Sequence, residues 1–212
     1  MSQAVSDALA YVQFQLGAAV DASGHAIADT SWSARLQGSE NLWMLLEGAH
    51  VLTIMLFVGS ILFVDLRLLG VAWRKVPVSA VADSVLPYTV AGFTVMLLTG
   101  AALFFANPLE YYHGFVFRIK AVVLIAAAIN IVIFHRRVQA DRARWDAQPK
   151  PPLPARLSAA ASLTLWVLVV VTGRYAAYDW FACDQATGFV AAFSQCADYT
   201  AALAKAEGGL AL

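Results

Sequence analysis

Glu47 and His50 stand three residues apart in LWMLLEGAHVL, at the head of a long apolar run. Residues i and i+3 of a helix are neighbours, so an acid and an imidazole share one face of a segment otherwise suited to lipid. An ionisable side chain inside a membrane span is a functional candidate by default. Two more, Lys120 and Arg174, lie in other apolar runs. At a rise of 1.5 Å per residue, a helix starting near Glu40 carries His50 about 15 Å along its axis. A helix starting near Glu110 carries Lys120 to the same depth, with Arg118 beside that level. Arg174 falls shortly before the end of the last run, followed by Tyr175 and Tyr178. The expectation is one polar layer of Glu47, His50, Lys120 and Arg174, drawn from three helices. A charge facing lipid near the midplane costs at least about 2.5–3.5 kcal/mol, so these groups should face one another or a wet cavity.

Several chemistries suit such a layer. An imidazole is a standard axial ligand of haem iron, and cationic side chains suit haem propionates. On that reading His50 binds the iron of a haem b, Lys120 and Arg174 meet the propionates, Glu47 lines the site, and His113 is the nearest second ligand, about two turns shallower. A bare metal is a weaker fit. Glu47 and His50 make one E-x-x-H pair where a di-iron bundle uses two, and the cations oppose a second cation, even with His25 and His113 as outer ligands. Proton or solute conduction is the main alternative, with a quinone headgroup site as a variant. A structural network, in which Glu47 only neutralises Lys120 or Arg174, needs no cofactor at all. No soluble-enzyme motif (phosphate-binding loop, G-x-S-x-G or H-E-x-x-H) is present, so any enzymatic role is at most that of a membrane electron-transfer component.

The elements that position these residues follow from composition. The chain is 60% hydrophobic and only 13% charged, with mean hydropathy +0.67. Soluble domains carry about a quarter charged residues. Net charge is zero, which offers no basic surface for nucleic acid. A membrane span needs about 20 mostly apolar residues, and four runs qualify, at about 42–69, 85–106, 117–134 and 157–178. The fold class expected is therefore an all-α membrane protein, a bundle of four transmembrane helices over 41–178 with short helical extensions at both termini. Residues 1–40 read as an amphipathic helix outside the bilayer, without the positive start and clean apolar core of a cleavable signal. Residues 179–212 form a tail.

Charge sets the orientation. Arg67, Arg74 and Lys75 follow the first run, and Arg136, Arg137, Arg142, Arg144, Lys150 and Arg156 follow the third, whereas the first forty residues hold only Arg35 and the tail only Lys205. Basic loops stay in the cytoplasm, so both termini are expected outside, in the periplasm of a bacterial inner-membrane protein. Trp43 and Trp180 suit the outer interface and Trp73 the inner one. Cys183 and Cys196, in a tail placed outside, are expected to form a disulfide. A second polar set, Asp65 and Arg67 with His135, Arg136 and Arg137, reads as a clamp at the inner ends, Asp65 pairing with an arginine. Asn130 reads as an interhelical hydrogen bond, and Gly59-Ser60 and Gly92 as points of close helix approach. The segment QPKPPLPAR reads as an extended linker.

The stretches LLEGAHVL, VGSILFVDLRLLGVAWR, TGAALFF, FRIKAVVLIAAAINIVIFH and TGRYAAY together resemble a family of uncharacterised bacterial inner-membrane proteins, loosely similar to the copper-resistance D-type membrane domain. The resemblance implies a four-span bundle with Glu47, His50, Asp65, Arg67, Lys120, Asn130, His135 and Arg174 at its characteristic polar positions. It implies no activity. Copper would come only through the more distant relation, and the chain has just four Met and four His. The reading is thus an inner-membrane protein binding haem b through His50. The alternatives are a proton- or solute-conducting protein, or a structural subunit without cofactor. The bilayer is its first partner, and a second copy or a redox partner its next.

Overall fold

The computed structural model describes residues 2–176, 178 and 181–208, leaving aside the side chains of Ser2, Arg137, Val138 and Gln139. Trp180 and the side chain of Arg137 therefore lie outside the described residues. The helices are α1 (Ser2–Phe14), α2 (Trp32–Gly38), α3 (Glu40–Leu69), α4 (Val78–Ala106), α5 (Pro108–His113), α6 (Phe115–Ile133), α7 (Arg142–Trp145), α8 (Leu153–Tyr175), α9 (Gly188–Ser194) and α10 (Cys196–Glu207). A turn of 3-10 helix at Ala28–Thr30 and an isolated antiparallel bridge between Val20 and Ala26 shape the loop before α2.

Four helices are long and apolar enough to cross a membrane: Glu40–Leu69, Val78–Ala106, Phe115–Arg136 and Leu153–Tyr175. They pack together as an all-α multi-pass membrane protein. Helix α4 begins at Val78, ahead of the apolar run at Val85, because interfacial residues such as Asp83 and Ser84 continue the helix without adding hydropathy. Asn107-Pro108 ends α4 and opens α5, with Pro108 in the first turn, where its missing N–H costs nothing.

The chain divides into two compact units. A central unit comprises residues 50–97 and 120–172. Its apolar residues are largely exposed on the protein surface, among them Val122, Ile125 and Ile129 of α6 and Leu52 and Met55 of α3. In water that pattern would be a large penalty; in lipid it is the solvated surface. Inside the unit, Phe57 packs edge-on against Trp166 at 4.8 Å between centroids and tilts against Phe93 at 5.3 Å. Ala127 and Val169 complete that core. A methyl group added at Gly92 would lie 3.0 Å from the Phe57 nitrogen, so α3 and α4 approach through this glycine. Thr89 donates to the Ser60 hydroxyl at 2.8 Å nearby. Space around Gly59 is open within 4 Å. A second core joins Leu68, Val78, Trp145, Ala155 and Ala159.

The terminal unit comprises residues 1–49, 98–119 and 173–212. Here α1 packs on α10, α5 and α2, burying Ala10, Leu109, Ala202 and Ala206. The amphipathic N-terminal helix thus spends its apolar face on protein. Cys183 and Cys196 are joined in a disulfide, fastening the loop before α9 to the start of α10.

Candidate functional site

In the terminal unit, His113 at the end of α5 is 2% exposed. Its Nδ1 lies 2.8 Å from the Ser194 carbonyl, which can only accept, so Nδ1 carries the proton and donates. Nε2 of the neutral ring then accepts from the Ser6 hydroxyl at 3.0 Å. One imidazole thereby ties α1, α5 and α9. Burial holds its pKa below the ordinary value; the Ser194 carbonyl works the other way, and the Arg118 cation adds to the lowering. With both nitrogens committed to protein groups, His113 is placed as a structural pin rather than as an available ligand.

Arg118 is a second pin. It donates to the Tyr112 carbonyl at 2.8 Å, the Phe193 carbonyl at 2.6 Å and Gln195 Oε1 at 2.9 Å. Gln195 joins α9 to α10 in the left-handed region, φ 55°, a conformation that costs a non-glycine residue about 1 kcal/mol or more. The Arg118 contact helps hold it. Small polar residues complete the framework. The Gln13 side chain accepts from the Leu109 amide, and Ser33 donates to the carbonyls of Val12 and Phe105. None of these was legible beforehand, because serines and glutamines carry no periodic signal of their tertiary partners.

These pins surround a cavity of about 740 Å³ lined entirely by residues of the terminal unit. Its volume lies within the usual ligand-site range. Tyr111 and Phe117 on the wall stack with Phe104 at centroid distances of 6.4 and 5.5 Å. Phe115, Phe181 and Tyr199 add further rings, and Glu110 and Asp184 supply carboxylates. Asn107 donates to Glu110, while its own buried Oδ1 has no hydrogen-bond partner among the described residues.

The residues singled out in the spans fall into both units. In the central unit, the His50 ring bonds the Met96 backbone carbonyl and feels the charge of Lys120. In the terminal unit, Glu47 is exposed on α3 and, among the described residues, makes no ion pair. Arg174 donates to the Tyr178 hydroxyl at 2.7 Å and lies over its ring at 5.0 Å. His25 sits in the exposed loop before α2, beside Ser23.

Asp65 and Arg67 are buried in the central unit at 5% and 0% exposure. Asp65 bonds Ser162 of α8 and leaves Oδ2 without a hydrogen-bond partner. Among the described residues it makes no ion pair. Arg67 instead holds backbone: Nε donates to the Val76 carbonyl at 2.6 Å, and Nη2 to the Gln148 carbonyl at 2.9 Å. Asn130 and Ser158 exchange reciprocal hydrogen bonds at 3.0 Å, linking α6 to α8. His135 bonds the Ile131 carbonyl one turn back. Among the described residues, no group of three or more His, Cys, Asp or Glu is placed to hold a metal ion.

No curated protein and no solved structure matches the chain. Residues 42–179, which take in all four spans except the first two residues of α3, match the model of a family of unknown function, DUF6644. A match over most of the chain, coinciding with the four-helix membrane domain, settles its membership: the protein belongs to the DUF6644 family.

Proposed function

We propose that this is a solute-binding membrane protein whose binding site is the cavity of the terminal unit. The observation that carries the reading is the cavity's construction. A volume of about 740 Å³ is walled by aromatic rings and polar side chains in similar measure, within the size range of small-molecule sites. The surrounding helices are fixed by His113, Arg118 and the disulfide, which preorganises the walls. The basic residues that follow α3 and α6 support placing this unit outside a bacterial inner membrane. A conducting role is the natural extension, since the spans carry Lys120 and Asp65.

Thr200→Trp tests the reading. Thr200 is exposed and lines the cavity, so an indole there fills space without disturbing the core. Cationic, anionic and neutral solutes would be screened by thermal shift against both proteins in nanodiscs. At least one class should stabilise the native protein and not the variant. Identical profiles across all three classes would sink the proposal.

A second reading, b-type haem on His50, draws on a different observation. An iron-binding histidine commonly anchors its other nitrogen on a backbone carbonyl, and His50 has such an anchor on Met96. Lys120 is the propionate partner this arrangement offers. With His113 committed elsewhere, the residues present fit a single protein ligand better than a bis-histidine pair. Haem would supply one-electron chemistry, while His50 and Lys120 would orient it. Oxidised and dithionite-reduced spectra beside His50→Ala decide the matter. A Soret band lost in the variant supports the reading; a colourless protein from haem-replete cells rejects it. The family that matches carries no named relation to copper resistance, and no copper chemistry is proposed.

A further inference from the structure

We infer that α9 is a membrane-contacting element, with its outward face, led by Phe189, seated in the interface of the bilayer that the spans cross. The inference stands apart from the cavity and does not depend on it. Phe189 is 74% exposed, the highest value of any large apolar residue among the described residues. At 3.6 residues per turn, Gly188, Phe189 and Ala192 share one side of α9, opposite the buried Ser194, and all three are exposed. A helix surrounded by water turns polar residues outward. This one turns out a phenyl ring, a methyl group and a glycine. No charged residue interrupts the sequence from Gln185 to Ala197.

The place of α9 in the fold brings it to the level of lipid. Rings run in contact from Phe181 through Phe115 and Phe193 to Phe189, with centroids 5.3, 5.6 and 5.8 Å apart. Phe115 is the first residue of a span. Arg118, one turn further in, donates to the Phe193 carbonyl at 2.6 Å and to Gln195. The end of α9 is therefore fixed to the first turn of a transmembrane helix, the depth at which aromatic side chains collect. The Cys183–Cys196 disulfide closes the loop that carries α9, so the element is held as a unit. A protein partner is a poorer fit. A stable interface buries at least about 1,000 Å², whereas this apolar arc belongs to a helix of seven residues. A bilayer sets no such minimum, and an exposed apolar patch that begins at the end of a span is one it would cover.

Spin-label accessibility tests the inference. Both cysteines of the chain are in the disulfide, so an introduced cysteine is the only free thiol, and peptide mapping confirms that the native pair stays joined. Nitroxides are placed on Ala192→Cys and, separately, on Phe189→Cys, in full-length protein held one copy per phosphatidylglycerol nanodisc. Leu52→Cys, exposed on a span, is the lipid reference, and Ala204→Cys, exposed on α10 beside Lys205, the water reference. The ratio of collision with oxygen, which favours lipid, to collision with a water-soluble nickel chelate is the readout. Both α9 labels should give ratios several-fold above the 204 label and close to the 52 label. Adding Phe189→Asp to Ala192→Cys should return the 192 label to the water value while the 52 label holds. The Ala192→Cys protein keeps Phe189 in place, and the label on Phe189→Cys is itself bulky and apolar, so either protein decides if the other does not fold. Water values at the α9 labels overturn the inference, as does a 192 label indifferent to Phe189→Asp. Shielding from both reagents that appears only in discs holding two copies assigns the face to a second copy of the chain and overturns it equally.

Discussion

Replacing His113 with Phe keeps a ring of similar shape against Tyr112 and Tyr199, whose centroids lie at 5.0 and 5.6 Å, and removes both hydrogen bonds. Losing the bond with Ser6 costs about 0.5–1.5 kcal/mol net, and depriving the buried Ser194 carbonyl of its donor about 1–3 kcal/mol. The sum is roughly 2–4 kcal/mol, concentrated where α1, α5 and α9 meet. The wild type should also carry a pH dependence that the variant lacks. The folded state holds His113 below its ordinary pKa, chiefly through burial, so the unfolded chain binds its proton first. Stability is therefore fully present above about pH 6.5 and is lost as pH falls from there toward the folded pKa. The gap between wild type and variant must narrow in acid. Hydrogen exchange of α1, α5 and α9 amides in detergent, at about pH 7.5 and about pH 5.5, measures both effects. Unchanged protection in the variant at the higher pH, or parallel pH slopes in the two proteins, would show that His113 is not the pin described.

Three further perturbations follow. Asn130→Val should destabilise the α6–α8 pairing by about 1 kcal/mol, and its double-mutant cycle with Ser158→Ala should show coupling of about 0.6–1.7 kcal/mol; additivity would place the two residues apart. Reducing the Cys183–Cys196 disulfide opens a short loop and should cost about 3 kcal/mol in the chain-entropy model. Faster proteolysis between 181 and 200, with the spans still protected, is the expected result; global unfolding would contradict the separate units. Gly92→Leu should weaken α3–α4 packing by at least about 1–3 kcal/mol, because even its Cβ would crowd the Phe57 backbone, whereas Gly59→Ala should be neutral. Thermal unfolding of the pair of variants checks the contrast.

The four spans were legible because lipid selects for composition, which survives in a linear sequence without knowledge of partners. The disulfide was legible because the chain's only two cysteines lie close together in one tail. Contacts of individual polar side chains were not legible. Depth counting brought Lys120 and His50 to one level, and both belong to the central unit, yet depth says nothing of rotation about the helix axis. Glu47, one turn from His50 on paper, emerges exposed. Arg118, counted as a neighbour of Lys120, reaches to the backbone around α9 instead. The terminal cavity gave no advance signal, since its wall is gathered from α2, α5, α6, α10 and the loop after α8, segments distant in sequence and individually ordinary.

Arg67 shows how a buried charge can be held chiefly through backbone carbonyls. Its guanidinium is fully enclosed and reaches carbonyls on both sides of a gap in the sequence, at Val76 and Gln148. The fork geometry allows this by placing donors on separate nitrogens; the three donors of an ammonium radiate from one atom and cannot span the same separation. Asp146, next to this backbone, spends its hydrogen bonds on Ser79 and pairs with Arg142, and its charge also reaches Arg67. Arg67→Lys should therefore fail to rescue what Arg67→Met removes. Each lost charge-assisted bond is worth about 1.5–3 kcal/mol, so both variants should release the segments around 72–78 and 145–149. Hydrogen exchange at those amides is the readout, with Trp145 exposure as an optical companion. If the Arg67→Lys variant keeps native protection, the site is an ordinary cation pocket, and the argument that Arg67 staples two loops through backbone acceptors is wrong. If both variants lose protection equally while α6 amides stay protected, the guanidinium itself closes this end of the central unit.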